Sequence, residues 1–309
     1  MNCEKKIYCG IDVSKKHLDA FIDGQSVRYD NTLKGIRCLA QRVGDRHCVF
    51  ESTGGYERLA AWTLLAGGKT VSIVNPGRVR DYAKSMGQLA KTDLIDAQMI
   101  TRYAEAASPK ANELPPEDQR TLSVLVDRRQ QLIDMSLAES NRLETAGELT
   151  LRRLIEKHLK WLRKQLTEVE EQVAQLIKNN PEMAEKAGRI RSIKGLGPIC
   201  AVTLLGHLPE LGTLSRQEAA ALAGLAPYNR DSGAFRGRRH ICGGRKRLRA
   251  CLYMAAVCAV QHNPVMKELY TRLVEENHRP KKVALTAVMR KLLIAANSAV
   301  KNPDFLVAA

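Results

Sequence analysis

Ile7, Cys9, Ile11 and Val13 alternate with Tyr8, Gly10 and Asp12, the period-two pattern of a strand with one buried face. The same style continues from His17 to Ile22, and a third short strand fits Ser26 to Tyr29. Asp23-Gly24 between them suits a tight hairpin. A helix over Leu33 to Val43, a strand over His47 to Phe50 and a helix opening near Tyr56 come next. A strand over Thr70 to Val74 stops at Asn75-Pro76-Gly77, and a helical stretch runs to about Ala107. Residues 1–110 are thus expected to form a mixed sheet covered by helices.

Helical periodicity then takes over, so the fold class expected is α/β followed by all-α. In the middle segment, residues 111–185, Ile155, Leu159, Leu162, Leu166, Val169, Val173 and Leu176 repeat at 4-3-4-3-4-3, a heptad seam. Leu122, Leu125 and Leu132 sketch a weaker seam upstream, interrupted by Arg129 and Ser136, and Gly147 is a plausible break between two helices. Spacing fixes the apolar faces and not which chain covers them, so an intramolecular hairpin and a dimerising coiled coil both remain open. The last segment, residues 186–309, is helical and basic, with three helices after residue 244 bounded by Pro264 and Pro280.

Charge narrows the partner. The chain has 309 residues, with 49 Lys and Arg against 33 Asp and Glu, a formal +16. That excess favours a polyanion, because neutralising phosphates releases condensed counterions. Eight scattered cysteines contain no Cys-x-x-Cys pair and suggest neither a zinc site nor a disulfide framework. The N-terminus lacks a signal-peptide stretch and no run approaches a membrane span, so a cytoplasmic location with no membrane partner is expected.

Four acids stand out against this basic background. Asp12 lies in Gly10-Ile11-Asp12-Val13-Ser14-Lys15 on the polar face of the first strand. Burial there would be costly without a cation. Glu51 ends the fourth strand in Phe50-Glu51-Ser52-Thr53-Gly54-Gly55-Tyr56, and strand ends beside Gly-rich turns are where open sheets place functional groups. Lys91-Thr92-Asp93-Leu94-Ile95-Asp96-Ala97 sets two aspartates three apart, on one face of a helix. Hard oxygen donors suit Mg²⁺ or Mn²⁺, and two such ions ~4 Å apart can act on a phosphodiester. Taken singly, each acid also fits a cap or an ordinary surface position.

The C-terminal half adds cations. Gly195-Leu196-Gly197 between two apolar helical runs resembles the turn of a helix-hairpin-helix, whose backbone N–H groups can hold a phosphate. Candidate phosphate contacts are Gly195 and Gly197, then Arg230, Arg236, Arg238, Arg239, Arg245, Lys246, Arg247 and Arg249. Ser232-Gly233 within this stretch reads as a turn.

The motifs Gly-Ile-Asp-Val-Ser-Lys, Glu-Ser-Thr-Gly-Gly-Tyr and Lys-Thr-Asp-Leu-Ile-Asp-Ala resemble the DEDD set of bacterial insertion-sequence transposases related to Piv-type DNA invertases. That resemblance covers nearly the whole chain. It implies a RuvC-like, ribonuclease H-like N-terminal domain with Asp12, Glu51, Asp93 and Asp96 as ligands of two metal ions. It makes Ser232 the nucleophile that forms a covalent phosphoserine with DNA. It also implies a homo-oligomer, dimer or tetramer, with the two sites assembled across subunits, and a structured non-coding guide RNA. The expected function is strand exchange of a mobile element on double-stranded DNA.

Three rivals share part of the pattern. A metal-dependent junction resolvase would use the acids without Ser232. An actin-like or sugar-kinase-like ATPase also begins with Gly-Ile-Asp, but needs a second Gly-rich phosphate loop that is not evident here. A nucleic-acid-binding protein without catalysis accounts for the charge and leaves the acids unexplained.

Overall fold

The computed structural model describes residues 7–88, 93–229, 231–232, 235–237, 239–302 and 304–305; for 93–95, 231–232 and 235–236 it gives the backbone alone. The chain divides into two compact units, 1–114 and 115–309.

The first unit is a mixed five-stranded sheet in the order β3-β2-β1-β4-β5. β1 (Tyr8–Val13), β2 (His17–Ile22) and β3 (Gln25–Asp30) form an antiparallel meander. β4 (His47–Glu51) and β5 (Val71–Val74) then add in parallel on the other side of β1. Parallel neighbours need crossovers, supplied by α1 (Leu33–Val43) before β4 and α2 (Glu57–Ala66) before β5. Thr32 caps α1 through Gly35 N, as a β-conformation threonine at that position should.

Side-chain alternation sorts the two faces of the sheet. Cys9, Ile11, Leu18, Ala20, Cys48 and Phe50 pack with Ile36, Leu39, Ala60 and Leu64 of α1 and α2. Tyr8, Val49 and Val74 face the other way, onto Val79 of α3 (Pro76–Ser85) and Ile100, Tyr103 and Ala104 of α4 (Asp93–Ala107). The sequence pattern predicts one wet face for β1; instead Tyr8 and Gly10 on that face are buried. Their covering helix, α4, reaches Gly10 through Thr101, 91 positions downstream, which no strand periodicity can register.

The second unit opens with an antiparallel hairpin of α5 (Glu117–Thr145) and α6 (Leu149–Asn179) that breaks around Gly147. The heptad seam is satisfied within the chain. Leu162 and Val169 bury against Leu132, and Ile155 and Leu159 against Ala146. The two interruptions have local reasons. Arg129 pairs with Glu170 at 2.8 Å, and Ser136 Oγ donates to Leu132 O at 2.8 Å. Of the two alternatives the spacing leaves open, the single chain adopts the intramolecular hairpin.

The expected separate middle segment is not a body of its own. The hairpin base, through Leu122, Val126 and Val173, lies in one core with the C-terminal helices. These are α7 (Pro181–Arg191), α8 (Pro198–His207), α9 (Arg216–Leu222), α10 (Lys246–His262), α11 (Pro264–Thr271) with a π-helical extension (Arg272–Glu276), and α12 (Lys281–Lys301). Among the described residues α12 is the one helix long and apolar enough to cross a membrane, and half of its apolar window is buried inside this core. Asn297 of α12 is itself buried, accepting from Gly212 N and donating to Leu214 O.

Candidate active site

Strand order and helix packing bring the acid-bearing positions to one end of the first sheet. Ile11 pairs with Phe50 in the parallel ladder between β1 and β4, so Asp12 and Glu51 follow side by side at the carboxyl ends of those strands. Both lie on the face covered by α4, since Gly10 and Val49, two residues before them, face that way. α4 runs antiparallel to β1. Thr101 stands over Gly10, while Tyr103 and Ala104 pack with Tyr8 at the opposite end of the strand. The first turn of α4, carrying Asp93 and Asp96, therefore lies toward Asp12.

Gly10 sets how close the helix comes. A Cβ there would stand 2.4 Å from Ala97 O and 2.5 Å from Thr101 N, so only glycine admits this contact. Gly10 N donates to Thr101 Oγ1 at 2.8 Å, and that hydroxyl donates in turn to Ala97 O.

The Glu51 loop is built around an acid that motif reading passed over. Glu57 opens α2, is buried, and accepts from Gly55 N at 2.8 Å, Thr53 N at 3.1 Å and Thr53 Oγ1 at 3.1 Å. Ser52 Oγ also donates to it, at 3.4 Å. Gly54 and Gly55 adopt φ of +77° and +119°, a turn that L side chains resist. Glu57 thus organises the loop from within. Its signal was present in the sequence, a carboxylate at the first helical position facing backbone donors upstream, but it was masked by the more conspicuous Glu51.

Asp19 is a fifth acid beside the four. It lies directly opposite Asp12 in the β1–β2 ladder and is buried. Like charges so placed repel, and Arg28 offsets this with a two-pronged contact at 2.7 and 3.0 Å. Asp19 is thereby committed to Arg28.

The donor set fits a hard divalent cation, because Asp12, Glu51, Asp93 and Asp96 offer only carboxylate oxygens. Among the described side chains no three acids, histidines or cysteines stand close enough to complete a metal site. The side chain of Asp93 lies outside those described.

In the second unit the cationic stretch carries two short antiparallel strand pairs, together called the ribbon. β6 (Pro227–Tyr228) pairs with β9 (His240–Ile241), and β7 (Asp231–Ser232) with β8 (Phe235–Arg236). Ser232 pairs with Phe235 and is the last residue of β7. The ribbon foot is tightly fixed. Gly244 approaches Gly224 so closely that a Cβ would stand 2.1 Å from its nitrogen. Arg245 forks onto Glu210 at 2.8 and 2.7 Å and donates to His207 O at 2.8 Å.

The candidate phosphate contacts separate accordingly. Arg247 pairs with Asp127, and Arg249 donates to Gly243 O at 2.6 Å, so these two and Arg245 hold the ribbon foot. Arg239 and Lys246 are exposed. Arg236 is placed by backbone only, and Arg230 and Arg238 fall outside the described residues. Gly195 and Gly197 lie in the connection between α7 and α8. Gly195 packs against Ala259 of α10, while Gly197 is exposed at the start of α8.

Two family models match this chain. Residues 9–148 match the DEDD transposase model of the IS110 type, and residues 187–271 match the model described as transposase of the IS116/IS110/IS902 family. The chain is 29% identical over 312 residues to the pilin gene-inverting protein of Moraxella bovis, covering 96% of each. The pilin gene-inverting protein of Moraxella lacunata is similar to the same extent, 29% over 312 residues.

Proposed function

The chain belongs to the IS110-type transposase family and is a DNA-recombining enzyme, and from that premise we propose that Asp12, Glu51, Asp93 and Asp96 hold divalent metal at the phosphodiester that Ser232 attacks. The observation that carries this reading is the convergence at one sheet end. Asp12 and Glu51 end adjacent parallel strands beneath a helix whose first turn bears Asp93 and Asp96. We read the sheet, three antiparallel strands followed by two parallel ones, as ribonuclease H-like and RuvC-like.

Bound between these carboxylates, Mg²⁺ or Mn²⁺, as two ions, would stabilise charge on the attacking and leaving oxygens. Ser232 Oγ forms a bond to phosphorus as the bond from phosphorus to one deoxyribose oxygen breaks. The serine proton is released and the departing oxygen takes one up. A hydroxyl from another strand then reverses the step, so strands are exchanged without loss of bond energy. Its place in a stretch carrying Arg236 and Arg239 suits this role, since cations there would draw a DNA phosphate close.

The partner is double-stranded DNA at the ends and target of an insertion sequence, and we place the enzyme in the bacterial cytoplasm with the nucleoid. Guidance by a structured non-coding RNA and action as a homo-oligomer, dimer or tetramer, belong to the same reading. The formal charge of +16 supports nucleic-acid partners in general.

Cleavage of an element-end substrate with and without Mg²⁺ tests the proposal. Asp12→Asn and Glu51→Gln should abolish cleavage while circular dichroism and DNA binding persist. Undiminished cleavage by Asp12→Asn would end the metal assignment. Cleavage that leaves no protein-linked DNA would make the chain a nuclease or resolvase in mechanism.

A further inference from the structure

The ladder joining the two acid-bearing strands ends one residue short of the acids. Its last pair is Ile11 with Phe50. Beyond it, Asp12 is tied to β2 through Asp19, and Glu51 to β5 through Val74. The β1–β4 ladder joins the two strand ends as far as Ile11 and Phe50, and a second link across them, beyond the ladder, comes from a residue outside the motifs.

That residue is Asn31, just after β3. Its Nδ2 donates to Ser14 O at 3.1 Å and to Tyr56 O at 3.2 Å. Ser14 follows Asp12 by two residues and opens the turn to β2, where its hydroxyl accepts from His17 N at 2.9 Å. Tyr56 closes the Glu51 loop that Glu57 organises from inside. Asn31 is fixed in its own right, because its backbone N–H donates to Lys16 O at 2.8 Å. The amide orientation is dictated by the two carbonyls, since the reverse would set Oδ1 against both. Among small side chains the primary amide alone offers two N–H donors from one nitrogen.

We propose that Asn31 is a positioning residue for the metal-binding acids, bridging Ser14 and Tyr56 so that the strand ends bearing Asp12 and Glu51 keep a fixed separation. This rests on the metal reading above. Ligand constellations work only when held within ~0.5 Å of their productive geometry. Loss of outer partners that orient ligands costs about 10–100-fold in metal affinity.

Mn²⁺ binding to the full chain, followed by electron paramagnetic resonance of the free ion, tests the role alongside cleavage and thermal melting. Asn31→Ala should bind Mn²⁺ at least ~10-fold more weakly, and its cleavage should recover as Mn²⁺ is raised. Asn112→Ala is the control: Asn112 Oδ1 accepts from Ile73 N at 2.7 Å, an amide clamp on the edge strand. It should lower the melting temperature and leave Mn²⁺ affinity unchanged. Should Asn31→Ala not fold, Asn31→Ser, whose one hydroxyl proton reaches one carbonyl at most, carries the same expectation. If the folded Asn31 variant binds Mn²⁺ as wild type while Asp12→Asn does not bind, the positioning role is overturned and the metal site stands. If Asp12→Asn binds as tightly as wild type, the metal reading fails and takes the role of Asn31 with it.

Discussion

Gly10 N donates to Thr101 Oγ1 at 2.8 Å, and the space a Gly10 side chain would need is filled by the backbone of α4. This contact relates the strand carrying Asp12 to the helix carrying Asp93 and Asp96. The glycine in Gly10-Ile11-Asp12 is thus as much part of the site's construction as the aspartate.

Gly10→Ala should push α4 away from β1. Its methyl would meet Ala97 O and Thr101 N, backbone atoms that cannot rotate aside. Overpacking of this kind costs about 1–3 kcal/mol, measurable as a lower urea midpoint with unchanged slope. Cleavage should fall far more than stability does, because the aspartate-bearing turn moves with the helix. A variant that loses stability and keeps full cleavage would show that α4 does not set the acid geometry.

Much of this unit was legible in the chain because its signals are local. Alternation marked β1 and β2, and Asp23-Gly24 and Asn75-Pro76-Gly77 punctuated the strands. Long-range facts were not. Nothing near Asp12 shows that Asp19 faces it across a hairpin or that Arg28 holds Asp19. Asn31 carries no motif and matters only because two distant carbonyls converge on it. In the second unit the heptad seam was plain, but its partner α5 was obscured by Arg129 and Ser136, whose compensating contacts are tertiary or backbone-directed. The ribbon escaped notice because its paired segments are two residues long and rich in arginine.

Leu162→Glu is expected to unfold the hairpin. Leu162 is fully buried against Leu132 and Val169 within one chain, and an unpaired carboxylate there costs several kcal/mol. Helical circular dichroism should fall and melting should come earlier at every protein concentration. Trp161→Glu, at a neighbouring position 49% exposed, should leave both nearly unchanged. A Leu162→Glu chain that stays fully helical and merely changes mass in solution would place the seam between chains.

The arginines of the ribbon should divide by function. Replacing exposed Arg239 and Lys246 with Ala should reduce the slope of log K against log salt by about 0.9 for each duplex phosphate no longer neutralised. Arg245→Ala should instead lower stability, since its fork holds Glu210. Burial pushes the Glu210 carboxyl up, but the hydrogen bonds and charge of Arg245 outweigh it and keep the group below its ordinary value. A depressed carboxylate contributes fully above its unfolded value, about 4.3, and the contribution fades as pH falls through the lower folded value. The stability gap between wild type and Glu210→Gln should therefore be flat from neutral pH to about 5 and shrink below about 4. A gap that widens on acidification would contradict the pairing.

Ser232 should carry the covalent bond to DNA, and its competitors are the hydroxyls that adjoin Glu51 in the first unit. Ser52 and Thr53 adjoin Glu51 in sequence, yet both hydroxyls donate to Glu57, which also holds Gly55 N. Freeing either for attack would leave a buried carboxylate short of donors, a loss of about 1–3 kcal/mol before any chemistry. Ser232 lies in the β7–β8 pair of the ribbon, whose foot is fixed by Arg245 and by the Gly224–Gly244 approach. Ser232→Ala should therefore keep DNA binding and lose both strand exchange and the covalent adduct. Ser52→Ala and Thr53→Ala should lower stability and keep the adduct. Trapping the complex, digesting the DNA and measuring peptide masses distinguishes these outcomes. A nucleotide on the peptide containing Ser52 and Thr53, with Ser232 unmodified, would move the nucleophile to the Glu51 loop and leave the ribbon as a binding element alone.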